Sequence, residues 1–146
     1  MAANLCSLPC QKLYLESFYE DCIKDIKIER NKLTCIMFLR PSPESVLYEI
    51  KIECKQSGYP RVWLLSPELQ KVDGKRPHHI FSSENENQVP ELCIYDSRKG
   101  YNELQNDRLW ARTLIPWIIS WLDTYEYWVI TGKWHHAEIL GGKRLD

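Results

Sequence analysis

The stretch that decides the fold is residues 46–55, which read Val-Leu-Tyr-Glu-Ile-Lys-Ile-Glu-Cys-Lys. Apolar side chains stand at every second position and alternate with mostly charged ones, which is a period of two. This alternation predicts an antiparallel β-strand that starts at Val46, with one face on the core and the other in water. Cys54 falls on the apolar face, where we expect it to be a core residue.

Other β-prone runs lie on both sides of this strand. Residues 26–30 and 33–39 precede it, and we predict a tight turn between them at Asn31-Lys32. Residues 61–65 follow it after a Gly-Tyr-Pro turn. Together the runs predict a four-stranded antiparallel meander.

Two helices are predicted outside the strands. Residues 8–24 carry apolar side chains at irregular helical spacing. The second helix has Thr113 as its N-cap and Gly132 at its end. Its large side chains step by three or four residues, so they share one stripe that we expect to pack in the core: Trp110, Leu114, Trp117, Trp121, Tyr125 and Trp128. We therefore predict the α+β class, with a single domain over residues 1–146.

Bulk properties exclude several partners. The formal charge of -1 gives no reason to expect nucleic acid or an anionic membrane as a partner. The longest apolar run, residues 114–122, is about half of the ~20 residues that a membrane-spanning helix needs. The sequence opens without a secretory leader, so we expect a cytoplasmic protein whose six cysteines are reduced thiols: Cys6, Cys10, Cys22, Cys35, Cys54 and Cys93.

Motifs for bound groups are also missing from the sequence. It contains no glycine-rich phosphate loop, no H-E-x-x-H and no G-x-S-x-G, so we predict no cofactor. The pair Cys6 and Cys10 and the doublets His78-His79 and His135-His136 could supply zinc ligands, but their spacings match no familiar module. We therefore predict no metal site.

Cys93 is the cysteine with the strongest case for reactivity. It lies on a short apolar island, residues 92–95, within a long irregular segment over 68–107 that we expect to be functional. A second island, Ile80-Phe81, follows His78-His79 in the same segment. A thiolate beside a histidine is the arrangement that a nucleophilic cysteine needs. Spacing alone also fits the alternative that Cys93 is a buried strand residue.

The order of elements resembles that of ubiquitin-conjugating enzymes. Tyr59-Pro60-x-Val62 resembles the family's Tyr-Pro-x-x-x-Pro-x-Val region, and His79 and Cys93 fall where its His-Pro-Asn motif and catalytic cysteine would lie. The chain is still more similar to the stand-alone ubiquitin-conjugating-like proteins of short type II CBASS antiphage operons. The motifs that carry this resemblance are Pro60 to Pro67, Pro77 to Phe81, Leu92 to Tyr95 and the Trp110–Trp134 series, which includes Thr113, Pro116-Trp117, Tyr125-Glu126 and Thr131-Gly132.

The resemblance implies a ubiquitin-conjugating-like fold and a function. Cys93 would form a thioester with the C-terminal glycine of a partner, the operon's cGAS-like nucleotidyltransferase (CD-NTase). Either His79 or His78 would be the motif histidine, since Pro77 favours His78 and the spacing to Phe81 favours His79. No asparagine follows the histidine, so a backbone N–H or His78 would have to stabilise the oxyanion.

Two other functions fit the same residues. A catalytically silent relative would bind the nucleotidyltransferase without reacting. A thiol hydrolase would cleave conjugates, and it would need a third residue to orient the histidine, for which Asp96 and Asp73 are the candidates.

Overall fold

The computed structural model describes residues 6–81, 89–94 and 109–134. The class is α+β, as predicted: an N-terminal helix, an antiparallel sheet and a C-terminal helix. The elements are α1 (Leu8–Tyr19), a 3₁₀ turn (Glu20–Cys22), β1 (Ile23–Glu29), β2 (Lys32–Leu39), β3 (Tyr48–Lys55), β4 (Arg61–Ser66), β5 (Glu91–Leu92) and α2 (Leu114–Thr131).

The sheet contains one more strand than the four-stranded meander predicted from the sequence. Its order is β1-β2-β3-β4-β5, and every neighbouring pair is antiparallel. The four predicted strands are confirmed, and β5 adds a fifth, in which Leu92 pairs with Val62 and Glu91 with Trp63. A strand of two residues is too short to show a period in the sequence, so only its pairing with β4 reveals it.

The core face of the sheet extends to the edge where β5 lies. Cys35, Ile52, Val62 and Leu92 stand opposite one another across four successive strands. None of these four side chains is more than 2% exposed. Because a slip of one residue would turn all of these side chains outward, their burial specifies the register. The buried row therefore anchors Leu92, the residue immediately before Cys93.

Two local predictions in the sheet were wrong by one or two residues. The first hairpin turns at Arg30-Asn31 rather than at Asn31-Lys32, because Glu29 already pairs with Lys32. Both turn residues have positive φ, 53° and 62°, as the favoured two-residue hairpin turn requires. Val46 is 57% exposed and precedes β3, so the alternating pattern is realised only from Tyr48 onward.

The first helix is shorter than predicted. It begins after Ser7, whose Oγ accepts a hydrogen bond from the main-chain N–H of Cys10. It ends at Tyr19 rather than at residue 24, because the chain passes through the 3₁₀ turn and enters β1 at Ile23. The irregular apolar spacing beyond residue 19 therefore belongs to the turn and the strand.

The expectation of six reduced thiols was wrong for two of them. The structure joins Cys6 and Cys10 in a disulfide, with their Cα atoms 5.4 Å apart. The helix that starts at Leu8 brings these Cα atoms to a separation that a disulfide can bridge. Among the described residues, Cys22, Cys35, Cys54 and Cys93 are not in a disulfide.

The C-terminal helix packs in the core, as predicted. Trp121, Tyr125 and Trp128 are at most 4% exposed, whereas Trp117 is only half-buried. Gly132 ends the helix with φ of 76°, and its N–H donates to the carbonyl of Trp128. Thr113 stands at the N-cap position, but its hydroxyl donates to the carbonyl of Leu109 instead of capping the helix. Within the described ranges, no helix combines the length and apolar character needed to span a bilayer.

Candidate functional site

Cys93 lies just beyond the edge strand β5. It stands between the buried side chains of Leu92 and Ile94, and it is itself half-buried and outside any strand. Its main-chain N–H donates a 2.8 Å hydrogen bond to the carbonyl oxygen of His79. Cys93 is therefore not the fully buried strand residue that spacing alone allowed.

The two apolar islands of the irregular segment pair with each other. Ile80 forms an antiparallel bridge with Leu92, and the N–H of Phe81 donates to the carbonyl of Glu91 at 2.9 Å. The pairing puts His79 opposite Cys93. The pairing of the islands therefore holds this part of the segment against the sheet. Tyr95 lies outside the described residues.

The two adjacent histidines occupy different environments. The exposed His78 ring stacks on Trp134 at 5.5 Å between ring centroids and meets the edge of Trp128 at 6.4 Å. The half-buried His79 ring is tilted against Trp134 at 5.8 Å. Both imidazoles therefore contact the same indole, and only His79 also bonds to Cys93 through its main chain.

The helix α2 reaches this site through Trp121. The indole N–H of Trp121 donates to the carbonyl oxygen of His79 at 3.1 Å. Its ring stacks on Tyr125 and meets Trp134 edge to face, with centroids 5.7 and 5.5 Å apart. The sequence predicted Trp121 as a core residue, but helical spacing carried no signal that its N–H would bond to the segment that holds Cys93.

The other free cysteines of the described chain are less suited to act as nucleophiles. Burial raises the pKa of the Cys35 thiol to about 12, and the nearby Asp25 and Glu16 carboxylates add to the effect. Burial likewise raises the pKa of Cys54 to about 12. Both thiols therefore stay protonated at neutral pH. Cys22 is half-buried, but it lies beside β1, at the opposite edge of the sheet from Cys93.

A groove of about 430 Å³ lies at the edge of the sheet formed by β4 and β5, and Cys93 itself is not among its lining residues. Leu92 and Ile94, the residues on either side of the cysteine, contribute to its wall. Arg61 donates two hydrogen bonds to the Glu91 carboxylate across the strands, at 2.8 and 2.9 Å. The remaining lining residues are Tyr59, Pro60, Val62 and Phe81.

Of the residues considered for a metal site or a hydrolase, the structure describes Cys6, Cys10, His78, His79 and Asp73. Among the described residues, no three His, Cys, Asp or Glu side chains lie close enough together to hold a metal ion. Asp73, a candidate to orient a histidine, lies exposed in the tight turn closed by Val72 and Lys75. His135, His136 and Asp96 lie outside the described residues.

Comparison with known proteins gives one family. No curated protein matches the chain. The family model described as type II CBASS E2 protein matches residues 11–141, a range that includes Cys93, both histidines of the site and the whole of α2. The chain therefore belongs to the type II CBASS E2 protein family, which suggests a role in CBASS antiphage defence and a conjugating-enzyme-like activity.

Proposed function

We propose that this protein has a ubiquitin-conjugating-like fold and that Cys93 carries an acyl group as a thioester during CBASS antiphage defence. Family membership supports the reaction class. The observation that carries the assignment to Cys93 is its position: a half-buried thiol, held by a main-chain bond to His79, on the segment that leaves the sheet edge. A nucleophile on a segment held in this way loses little freedom when the acyl donor arrives.

The acyl donor is the C-terminal glycine of a partner in activated form, either a thioester or an acyl adenylate. The Cys93 thiolate attacks the carbonyl carbon and a C–S bond forms. The bond to the leaving thiolate or to AMP breaks, and the leaving group takes the electron pair. The thiol proton passes to solvent, and no atom changes its oxidation state.

One of the two histidines takes the role of the motif histidine in this proposal. We assign His79 as the motif histidine, because its main chain stands opposite Cys93 and bonds to the Cys93 amide. His78, whose ring stacks on Trp134, is the second candidate. The Cys93 N–H already donates to His79, so a different donor has to stabilise the oxyanion.

The proposed partner is the cGAS-like nucleotidyltransferase of the same operon, bound through its C-terminal tail. We place the tail in this groove, because Leu92 and Ile94, which flank Cys93 in the sequence, belong to its wall. The exposed faces of Tyr59 and Phe81, 43% and 42% exposed, supply apolar contact area at the mouth.

The test is co-expression with the neighbouring proteins of the operon, including the nucleotidyltransferase, followed by non-reducing gels and intact mass. We compare the wild type with Cys93→Ala and with Cys22→Ala, which removes the other half-buried free thiol of the described chain. A thioester weighs one water less than the two chains together, whereas a disulfide weighs two hydrogens less. We expect a thiol-sensitive adduct of thioester mass in the wild type and in Cys22→Ala, and none in Cys93→Ala. Its rate of formation should rise with pH, since only the thiolate attacks.

Other outcomes support the competing functions. If the partner co-purifies equally with the wild type and with Cys93→Ala, and no adduct forms, the protein is a silent binding module. If a preformed conjugate disappears when wild-type protein is added, but persists with Cys93→Ala, the protein is a thiol hydrolase.

A further inference from the structure

The carbonyl oxygen of His79 is the point at which three segments of the chain meet. It accepts the main-chain N–H of Cys93 at 2.8 Å and the indole N–H of Trp121 at 3.1 Å. The first donor belongs to the segment after β5, and the second belongs to α2. One oxygen atom therefore links the helix to the cysteine.

The backbone of His79 adopts a conformation that needs this support. Its φ is 56°, in the left-handed region, which is unfavourable for a residue with a Cβ atom. Such a conformation persists only where surrounding contacts hold it. The two hydrogen bonds to the carbonyl are contacts of this kind.

Trp121 is a rigid donor for this bond. Its side chain is fully buried and stacks on Tyr125, with 15° between the ring planes. The Tyr125 hydroxyl is held in turn, because it accepts the main-chain N–H of Gln70 at 2.8 Å. The indole N–H is therefore held in one position in the core, where it donates to the His79 carbonyl.

We propose that Trp121 is a positioning residue for Cys93, acting through the main-chain carbonyl of His79. Without its N–H, His79 leaves the left-handed conformation more often and the Cys93 amide loses its acceptor. Cys93 then samples positions away from the incoming acyl carbon, so thioester formation slows. Only the effect on thioester formation rests on the proposed function. The hydrogen-bonded connection from Trp121 through the His79 carbonyl to Cys93 does not.

The chain contains a matched control for the loss of an indole N–H. Trp110 is only 2% exposed, and its indole N–H has no acceptor among the described residues. Trp110→Phe therefore removes the same atoms as Trp121→Phe, from a similarly buried site, without removing a hydrogen bond. Both variants will lose stability because of the smaller ring, but only Trp121→Phe breaks the link to His79.

The experiment is amide hydrogen exchange on the isolated protein, which requires no partner. The readout is the ratio of the exchange rate of the Cys93 amide in the variant to that in the wild type, and the Ile52 amide in the central strand β3 is followed separately as a measure of global stability. In Trp121→Phe we expect this ratio to rise roughly five-fold, the factor that corresponds to a typical net hydrogen bond. In Trp110→Phe it should stay unchanged. An unchanged ratio in Trp121→Phe, or equal rises in both variants, would overturn the proposal.

A second pair of variants tests the link if Trp121→Phe does not fold. His79→Gly and His79→Val both remove the imidazole and both keep the carbonyl. Glycine accepts positive φ readily, whereas a β-branched residue does not. We expect the exchange ratio at Cys93 to stay near the wild-type value with glycine and to rise with valine. Equal ratios in the two variants would refute the role of the His79 backbone, whether or not a thioester ever forms.

Discussion

The carboxylate of Glu126 joins α2 to the loop that precedes β3, and its removal is the sharpest test of the packing. Glu126 Oε1 accepts the Ser45 hydroxyl at 2.8 Å, and Oε2 accepts the Tyr48 hydroxyl at 2.7 Å. Tyr48 is the first residue of β3 and only 3% exposed. Glu126→Ala would remove both bonds and leave the Tyr48 hydroxyl buried without its acceptor.

The expected size of the effect follows from these contacts. A hydrogen bond to a charged group contributes about 1.5–3 kcal/mol, and a buried hydroxyl without a partner costs about 1–3 kcal/mol. We therefore expect Glu126→Ala to lower the free energy of unfolding by about 2–4 kcal/mol. Tyr48→Phe removes the hydroxyl itself and should cost about 1–2 kcal/mol. In the double variant the Tyr48 hydroxyl is no longer present to be left unsatisfied, so the loss should be smaller than the sum by about 1–2 kcal/mol.

The assay is urea denaturation at neutral pH of the wild type, both single variants and the double variant. Asp123→Ala is the matched control, because it removes an exposed carboxylate from the same helix and should change stability by no more than about 0.5 kcal/mol. If the two single losses add to within about 0.5 kcal/mol, Glu126 and Tyr48 do not act as a unit and the reasoning fails. It also fails if Glu126→Ala is as mild as Asp123→Ala.

Two further predictions concern stability. Gly132→Ala should cost about 1 kcal/mol in thermal unfolding, because alanine is strained at φ of 76°, although its Cβ would meet no atom within 4 Å; a cost equal to that of Gly58→Ala, whose Cβ would make only ordinary contacts, would contradict this. The folded-state pKa of Cys35 is raised from 9.0 to about 12, so its neutral thiol contributes stability in full below pH 9 and loses it progressively as pH rises to about 12. Cys35→Ala should therefore show a shallower fall in the free energy of unfolding over that range, measured by urea denaturation, and a slope equal to that of the wild type would argue against the assignment.

Much of the secondary structure was predictable because it depends on local patterns. The period of two from Tyr48 to Cys54 and the helical stripe that includes Trp121 both survive in the structure, since each pattern matches the face that its element buries. The positive φ that ends α2 at Gly132 was also predictable, because glycine adopts it at little cost. The resemblance to CBASS proteins was also visible in the sequence, because it rested on short sequence motifs. The family match over residues 11–141 confirms it.

Short elements and boundaries were not predictable in this way. The two-residue strand β5 has no period of its own and exists because β4 offers it a partner. The first hairpin turns at Arg30-Asn31 because the cross-strand register, and not turn propensity alone, decides which residues face each other. The pairing of Cys6 with Cys10 likewise depends on where α1 begins.

The candidate site was also predictable only in part: the sequence identified its residues but not the contacts between them. Motif positions singled out Cys93, His79 and His78, and their roles in catalysis stay predictions. The link from Trp121 through the His79 carbonyl to Cys93 joins residues that are 14 and 42 positions from His79 along the chain. No local sequence pattern predicts these hydrogen bonds to the His79 carbonyl, because they depend on how α2 packs against the irregular segment. Sequence periodicity determined which faces of the strands and helices are buried, whereas long-range packing determined which main-chain and indole groups meet around the cysteine.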